Sequence, residues 1–135
     1  MQINPYNFLA GKEYHLSDEI DFSDTDLSAI YNLKKINSCY VDLDINNYED
    51  ILVLSFKIKC NLTLISSYSL KEFNKDFLIK ETLDFSFNKD DEDCSFVIEG
   101  ASLNLDKHIL DIIITNIPSK VVDKGEKLPS GDDSF

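Results

Sequence analysis

The chain has no arginine and no tryptophan, and it is poor in histidine, glycine, proline and cysteine. All 13 basic residues are lysine, against 25 Asp and Glu, for a formal net charge of −12. Without Arg there is no planar cation to grip a phosphate in bidentate geometry. Nucleic acid binders gain affinity by neutralising phosphates with cations. This balance therefore points to simple solubility or to a basic protein partner. The 4 glycines are dispersed, so neither a Gly-x-x-x-x-Gly-Lys phosphate loop nor a Gly-x-Ser-x-Gly turn can form. The histidines, His15 and His108, have no Cys or carboxylate at a metal-ligand spacing. The acidic run Asp90–Asp93 lacks the turn glycine and spaced oxygens of a calcium loop. The expectation is a protein that is not an enzyme and has no metal and no cofactor.

The 3 cysteines, Cys39, Cys60 and Cys94, are far apart and share apolar strand parity with Val41, Ile58 and Phe96. They read as buried, reduced thiols acting as small hydrophobes. Their odd number, with no recognisable signal segment, predicts a cytoplasmic protein. The longest apolar run, near Ile109–Ile117, falls far short of the ~20 residues that span a bilayer, so no membrane partner is expected.

What the sequence has in quantity is alternation. From Leu52 to Leu64 every even position is apolar: Leu52, Leu54, Phe56, Ile58, Cys60, Leu62 and Leu64. Polar residues fill most odd positions, which predicts a long strand with one face on a core. After Ser66-Ser67-Tyr68-Ser69 the alternation resumes on Phe73, Phe77, Ile79, Leu83, Phe85 and Phe87, predicting a second long strand antiparallel to the first. Cys39, Val41, Leu43 and Ile45 form another, and Asn46–Asp50 a turn, so residues 38–45 pair back on 52–64. Tyr14, Leu16, Ile20 and Phe22 suggest a first strand at 14–22, of edge or bulged type, interrupted by Asp18.

Helical signals flank these strands. Asn4-Pro5 opens a short turn that Gly11 can end. Ser23 or Asp24 can cap a helix carrying Leu27, Ile30, Tyr31 and Lys34. Leu105, Ile109, Ile112 and Ile113 share a helical face between Asn104 as N-cap and Pro118 as stop, although Ile112–Thr115 is β-branched enough for a strand. Cys94, Phe96 and Ile98 form a shorter strand. At 135 residues the chain is one domain, with residues 1–118 folded and 119–135 a polar, flexible tail. The fold class is α+β: a curved, mostly antiparallel sheet of about five strands, with a C-terminal helix packed on it and short N-terminal helices.

The link after the long central strand is the candidate contact region. Tyr68, Leu70 and Phe73 would present apolar surface from a loop held between two strands, although Phe73 equally suits the next strand's core face. Lys57, Lys59, Lys71, Lys75 and Lys80 are the alternative, a cationic sheet surface for direct RNA binding.

Ser66-Ser67-Tyr68-Ser69-Leu70-Lys71-Glu72-Phe73 resembles the signature of the YceD-like family, the large ribosomal RNA subunit accumulation proteins of bacteria. Ile98-Glu99-Gly100 with Leu103–Asp106 and Ile109–Pro118 is similar to that family's Gly, Ile-Asp-Leu and Pro-ended apolar helix. Leu128-Pro129-Ser130-Gly131 and Glu19–Phe22 complete the ordered likeness. Ser66 and Ser69 stand where the family has Cys or Ser, Tyr68 where it has Arg, and Ser134 where relatives have Trp. The resemblance implies a cytoplasmic, non-catalytic factor supporting the synthesis, processing or stability of large-subunit ribosomal RNA. Its partner-binding residues would be Ser66, Tyr68, Ser69, Leu70 and Phe73, with Lys57, Lys59 and Lys71 as RNA contacts if RNA is touched directly. With this charge, a basic ribosomal protein or RNA-processing factor is the expected partner. The competing expectation is a small-ligand carrier whose sheet closes, barrel-like, on a cavity.

Overall fold

The Leu52–Leu64 alternation becomes β4 (Ile51–Ile65), the middle strand of the sheet, with β3 (Leu33–Asn47) and β5 (Glu72–Ser86) on either side. The computed structural model describes residues 1–88, 90, 96–118 and 120–121. Cys94, most of the acidic loop and most of the C-terminal tail lie outside the described residues.

Register explains why these strands share one core. Val41, Leu43 and Ile45 oppose Ile58, Phe56 and Leu54. On the other side Leu52, Leu54, Ile58 and Cys60 oppose Phe85, Leu83, Ile79 and Phe77. Opposed residues of a pair share a face, so apolar side chains from three strands meet in rows. β4 and β5 pair without a register shift, whereas β3 is irregular between Leu33 and Lys35 and between Ile36 and Ser38.

β2 (Glu13–Glu19) pairs antiparallel with β3 and forms one edge. β6 (Phe96–Val97) pairs parallel with Phe85 and Ser86 at the end of β5. The order β2-β3-β4-β5-β6 is open, not closed into a barrel, which removes the architecture that the carrier expectation required. A separate small pair joins β1 (Gln2–Ile3) to β7 (Leu103–Asn104). It leads into α1 (Asp106–Thr115), which buries Ile109, Ile112 and Ile113. The expected helical face is the buried one. Asn104 accepts the Asp106 N–H at 3.0 Å, just ahead of the helix, and the Met1 amine pairs with Asp106. His108 sits edge-on to Phe85 and Phe96, at 5.2 and 4.6 Å between ring centroids.

α1 is the single α-helix among the described residues. The first expected N-terminal helix is a 3₁₀ turn, Pro5–Asn7, capped by Asn4. The second, expected from Ser23 to Lys34, does not form. Asp21 accepts the Ser23 N–H at 2.8 Å, and Asp26 accepts the Ser28 N–H at 2.9 Å. Short polar side chains that bond the backbone two residues on compete with helix in this way. Those same bonds hold both carboxyls below the ordinary range. Asn32 then takes a left-handed φ of 70° and turns the chain into β3. In the β3–β4 turn the left-handed residue is Glu49, not an Asn. Asn47 accepts the Glu49 N–H at 2.7 Å instead.

Cys39 and Cys60 are free, buried and directly opposed in register. Burial pushes their thiols up to about 12 and about 11 respectively. A thiol held protonated is a poor nucleophile. In the folded chain both should escape iodoacetamide at pH 8 and react fully after denaturation, as peptide mass mapping would show. Modification of either in the native state would place it nearer solvent. In the same core, Ile58→Ala should cost about 2–5 kcal/mol and Ile58→Val about 0.5–1.5 kcal/mol in denaturant unfolding. An Ile58→Ala cost near zero would mean that the site is not packed.

Candidate binding surface

The link between β4 and β5 is a built turn. Ser66 is buried, and its hydroxyl accepts the N–H groups of Tyr68 and Ser69 at 3.2 and 3.3 Å. Its backbone closes the turn: the Ser66 N–H donates to Lys71 at 2.9 Å, and the Leu70 N–H donates to the Ser66 carbonyl at 3.1 Å. Ser69 accepts the Lys71 N–H. Ser66, expected as a contact residue, is buried here and shapes the link. Tyr68 is half-buried where an exposed side chain was expected, and Phe73 is half-buried opposite Leu64. What the turn presents is Leu70, 70% exposed, with φ of 61°. A left-handed backbone costs a leucine energy, and here it holds an apolar side chain in water. Val121 is buried and bonded to Ser67 in both directions, its N–H to the hydroxyl at 2.9 Å and its carbonyl from the N–H at 2.7 Å. Packed structure thus reaches past Pro118.

The face of the sheet opposite the core is polar and ordered in rows. Glu19, Tyr40, Lys59 and Leu78 form one; Ser17, Asp42, Lys57 and Lys80 form the next; His15, Asp44, Ser55 and Thr82 a third. Beyond them Asn37 donates to Asn61 and Thr63, which donate in turn to Asp76 and Asn74, at 2.7–2.8 Å. Lys57, Lys59 and Lys80 share this face, as expected. Lys75 does not: it opposes Leu62, lies on the core side and holds its amine 5.4 Å from the Phe77 ring centroid. Lys71 is in the link. The expected five-lysine surface is therefore three lysines, flanked on the same face by Glu19, Asp42, Asp44, Asp76 and Asp84. Grooves on this face measure about 440 Å³ beside Tyr40, Lys59 and Leu78, and about 600 Å³ beside Asp44, Lys57 and Lys80. Both open to solvent.

One cluster went unread in the sequence. His15 Nδ1 lies 2.7 Å from Asp44, and its Nε2 lies 3.3 Å from the Ser17 hydroxyl, which donates to Asp42 at 2.7 Å. The signal was His15-x-Ser17 opposite Asp42-x-Asp44, visible only once the register is known. The outline resembles a nucleophile–base–carboxylate relay. Here, however, the serine proton goes to a carboxylate, and the cluster sits in open solvent with nothing to exclude water. What it supplies is an electrostatic clasp between β2 and β3.

The histidines are shifted in opposite directions. The Asp44 hydrogen bond, with the charges of Asp44 and Asp42, raises His15 above its ordinary 6.5. Burial against the aromatic rings lowers His108 below it. The folded chain thus binds more protons at His15, and fewer at His108, than the unfolded chain does. His108 stabilises above pH 6.5, and this contribution fades as pH falls through its depressed native value. The weaker, exposed His15 contribution is present below 6.5 and fades as pH rises through its raised value. In an NMR titration the two ring signals should move on opposite sides of pH 6.5, and Asp44→Asn should shift His15 alone. A common midpoint would contradict both environments. Compared with known proteins, the chain matches no family model, no curated protein and no solved structure.

Proposed function

We propose that this chain is a non-catalytic binding protein that supports the accumulation of large-subunit ribosomal RNA by engaging a basic protein. The observation that carries the binding half is Leu70: an exposed leucine in a left-handed backbone, fixed by the buried Ser66. Strain held in place by its surroundings is characteristic of contact sites, and an apolar tip in an ordered loop is what a partner's pocket takes. Net charge supports the choice of partner. At −12 the chain attracts cationic surfaces and repels a phosphate backbone. Lys57 and Lys59 do not offset this, because carboxylates share their face. The ribosomal half rests on the ordered resemblance of the link, the Gly100-to-Pro118 segment and the Leu128–Gly131 motif to the YceD-like family. Val121 bonded to Ser67 supports the link as a unit with the segment after α1.

The test joins a cellular and a biochemical arm. Depletion should lower the large ribosomal subunit selectively in a gradient profile. The tagged full chain should capture a basic protein from nuclease-treated lysate. That capture should weaken about tenfold in Leu70→Asp and persist in Lys57→Glu/Lys59→Glu. A normal subunit profile would reject the ribosomal role. Recovery of crosslinked RNA without protein, with affinity falling steeply in salt, would reject the protein partner.

A further inference from the structure

β6 covers only the last residues of β5, Phe85 and Ser86. From Glu72 to Asp84 the outer edge of β5 has no backbone partner among the described residues. Open edges are templates for further pairing and are usually blunted. β2, the opposite edge, is blunted: Glu13, Asp18 and Glu19 are all acidic, and Asp18 lies on the core side opposite Val41. β5 has no proline, no glycine and no bulge; its charges are of both signs, with Lys75 and Glu81 on the core side. Its core-side Phe73, Phe77 and Leu83 are only half-buried, and Leu78 on the other face is 57% exposed.

We propose that this edge pairs antiparallel with β5 of a second copy, across a two-fold axis at Leu78. Leu78 is the midpoint of the open segment, so every residue from Glu72 to Asp84 gains a partner and pairing stops where β6 begins. In this register Phe77 meets Ile79 of the other copy, Phe73 meets Leu83, Lys75 meets Glu81, Asp76 meets Lys80 and Asn74 meets Thr82. The two axial leucines meet each other. Apolar residues oppose apolar ones, and four lysine–carboxylate pairs form across the dyad. The only like-charge pairs are Glu72 with Asp84, at the two ends.

Neighbouring registers fail. A slip that opposes odd with even residues would put the two core faces on opposite sides. An axis at Asp76 or Lys80 sets like charges together at the centre. An axis at Phe77 opposes Lys75 to Ile79 and Phe73 to Glu81. One at Ile79 opposes Phe77 to Glu81 and Lys75 to Leu83. The Leu78 dyad satisfies both the greasy and the charged positions, as an isologous interface must. It forms one continuous sheet from two copies and sets each copy's Ser66–Lys71 link beside β6 of the other. This pairing is independent of the ribosomal reading.

Sedimentation velocity on the full chain at physiological salt, which screens the repulsion of two acidic chains, should show a concentration-dependent monomer–dimer equilibrium. K80E places Glu opposite Asp76 of the other copy, twice by symmetry, and should weaken the dimer about tenfold. Within its own chain this change sets a carboxylate opposite Lys57, so the monomer stays folded. The swap D76K/K80E should restore the dimer, which a folding defect would not allow. In a chain also carrying C94S, L78C brings two thiols to the axis within disulfide reach and should crosslink under mild oxidant, whereas N74C, far from its own copy, should not. A monomer at all concentrations up to about 0.5 mM overturns the proposal. So does a dimer that ignores K80E, or one in which N74C crosslinks and L78C does not.

Discussion

The period of two along β4 is the constraint on which the rest of the molecule depends. Each of its buried side chains has an apolar neighbour on at least one flanking strand, and Leu54, Ile58, Cys60 and Leu64 have one on both, as in Val41–Ile58–Ile79 and Ile45–Leu54–Leu83. A slip of one residue on either side would turn a whole strand's hydrophobic set to water. The pairings are therefore not independent choices but one. α1 then covers part of the surface that this register assembles. Its buried Ile109, Ile112 and Ile113, with the His108 ring against Phe85 and Phe96, seal the end of the core where β6 joins.

Most of the sheet was legible because its signal is redundant. Seven apolar residues in strict alternation leave little choice of face. The same holds for α1, whose Leu105, Ile109, Ile112 and Ile113 outweighed the β-branched composition of Ile112–Thr115. The segment 21–32 was not legible, because its apolar spacing imitates a helix while its Asp and Ser side chains bond the backbone locally. Spacing describes where side chains would go if a helix formed; it does not count the bonds that compete with the helix. The same blindness hid the role of Ser66. A serine in a polar link reads as surface, and only its two accepted N–H groups reveal a buried staple.

Surface chemistry was less legible than the core because it depends on register across strands distant in sequence. The His15, Ser17, Asp42 and Asp44 cluster exists only because Tyr14 pairs with Ile45 and not with a neighbour. The lysines were misassigned for the complementary reason. Lys75 follows the parity of Phe73 and Phe77, so it belongs to the core side despite its charge. Counting cations along the chain groups residues that the pleat separates.

Lys75 also shows how an interruption carries information. The odd-position alternation of β5 breaks at Lys75 and at Glu81, and each break lies three residues from Leu78, a symmetry of the sequence itself. Buried inside a covered sheet, two such charges would be a packing cost. On an edge they are tolerable in water, where Lys75 lays its amine near the Phe77 ring. β2 meets the same exposure with Glu13, Asp18 and Glu19 at its ends and no lysine. β5 carries both signs, Lys75-Asp76 before Leu78 and Lys80-Glu81 after it, so antiparallel approach about Leu78 sets each of these four charges against its opposite. Charges on the core side of an edge by themselves discourage indiscriminate pairing; it is their order about Leu78 that fits the edge to a second copy of the same sequence.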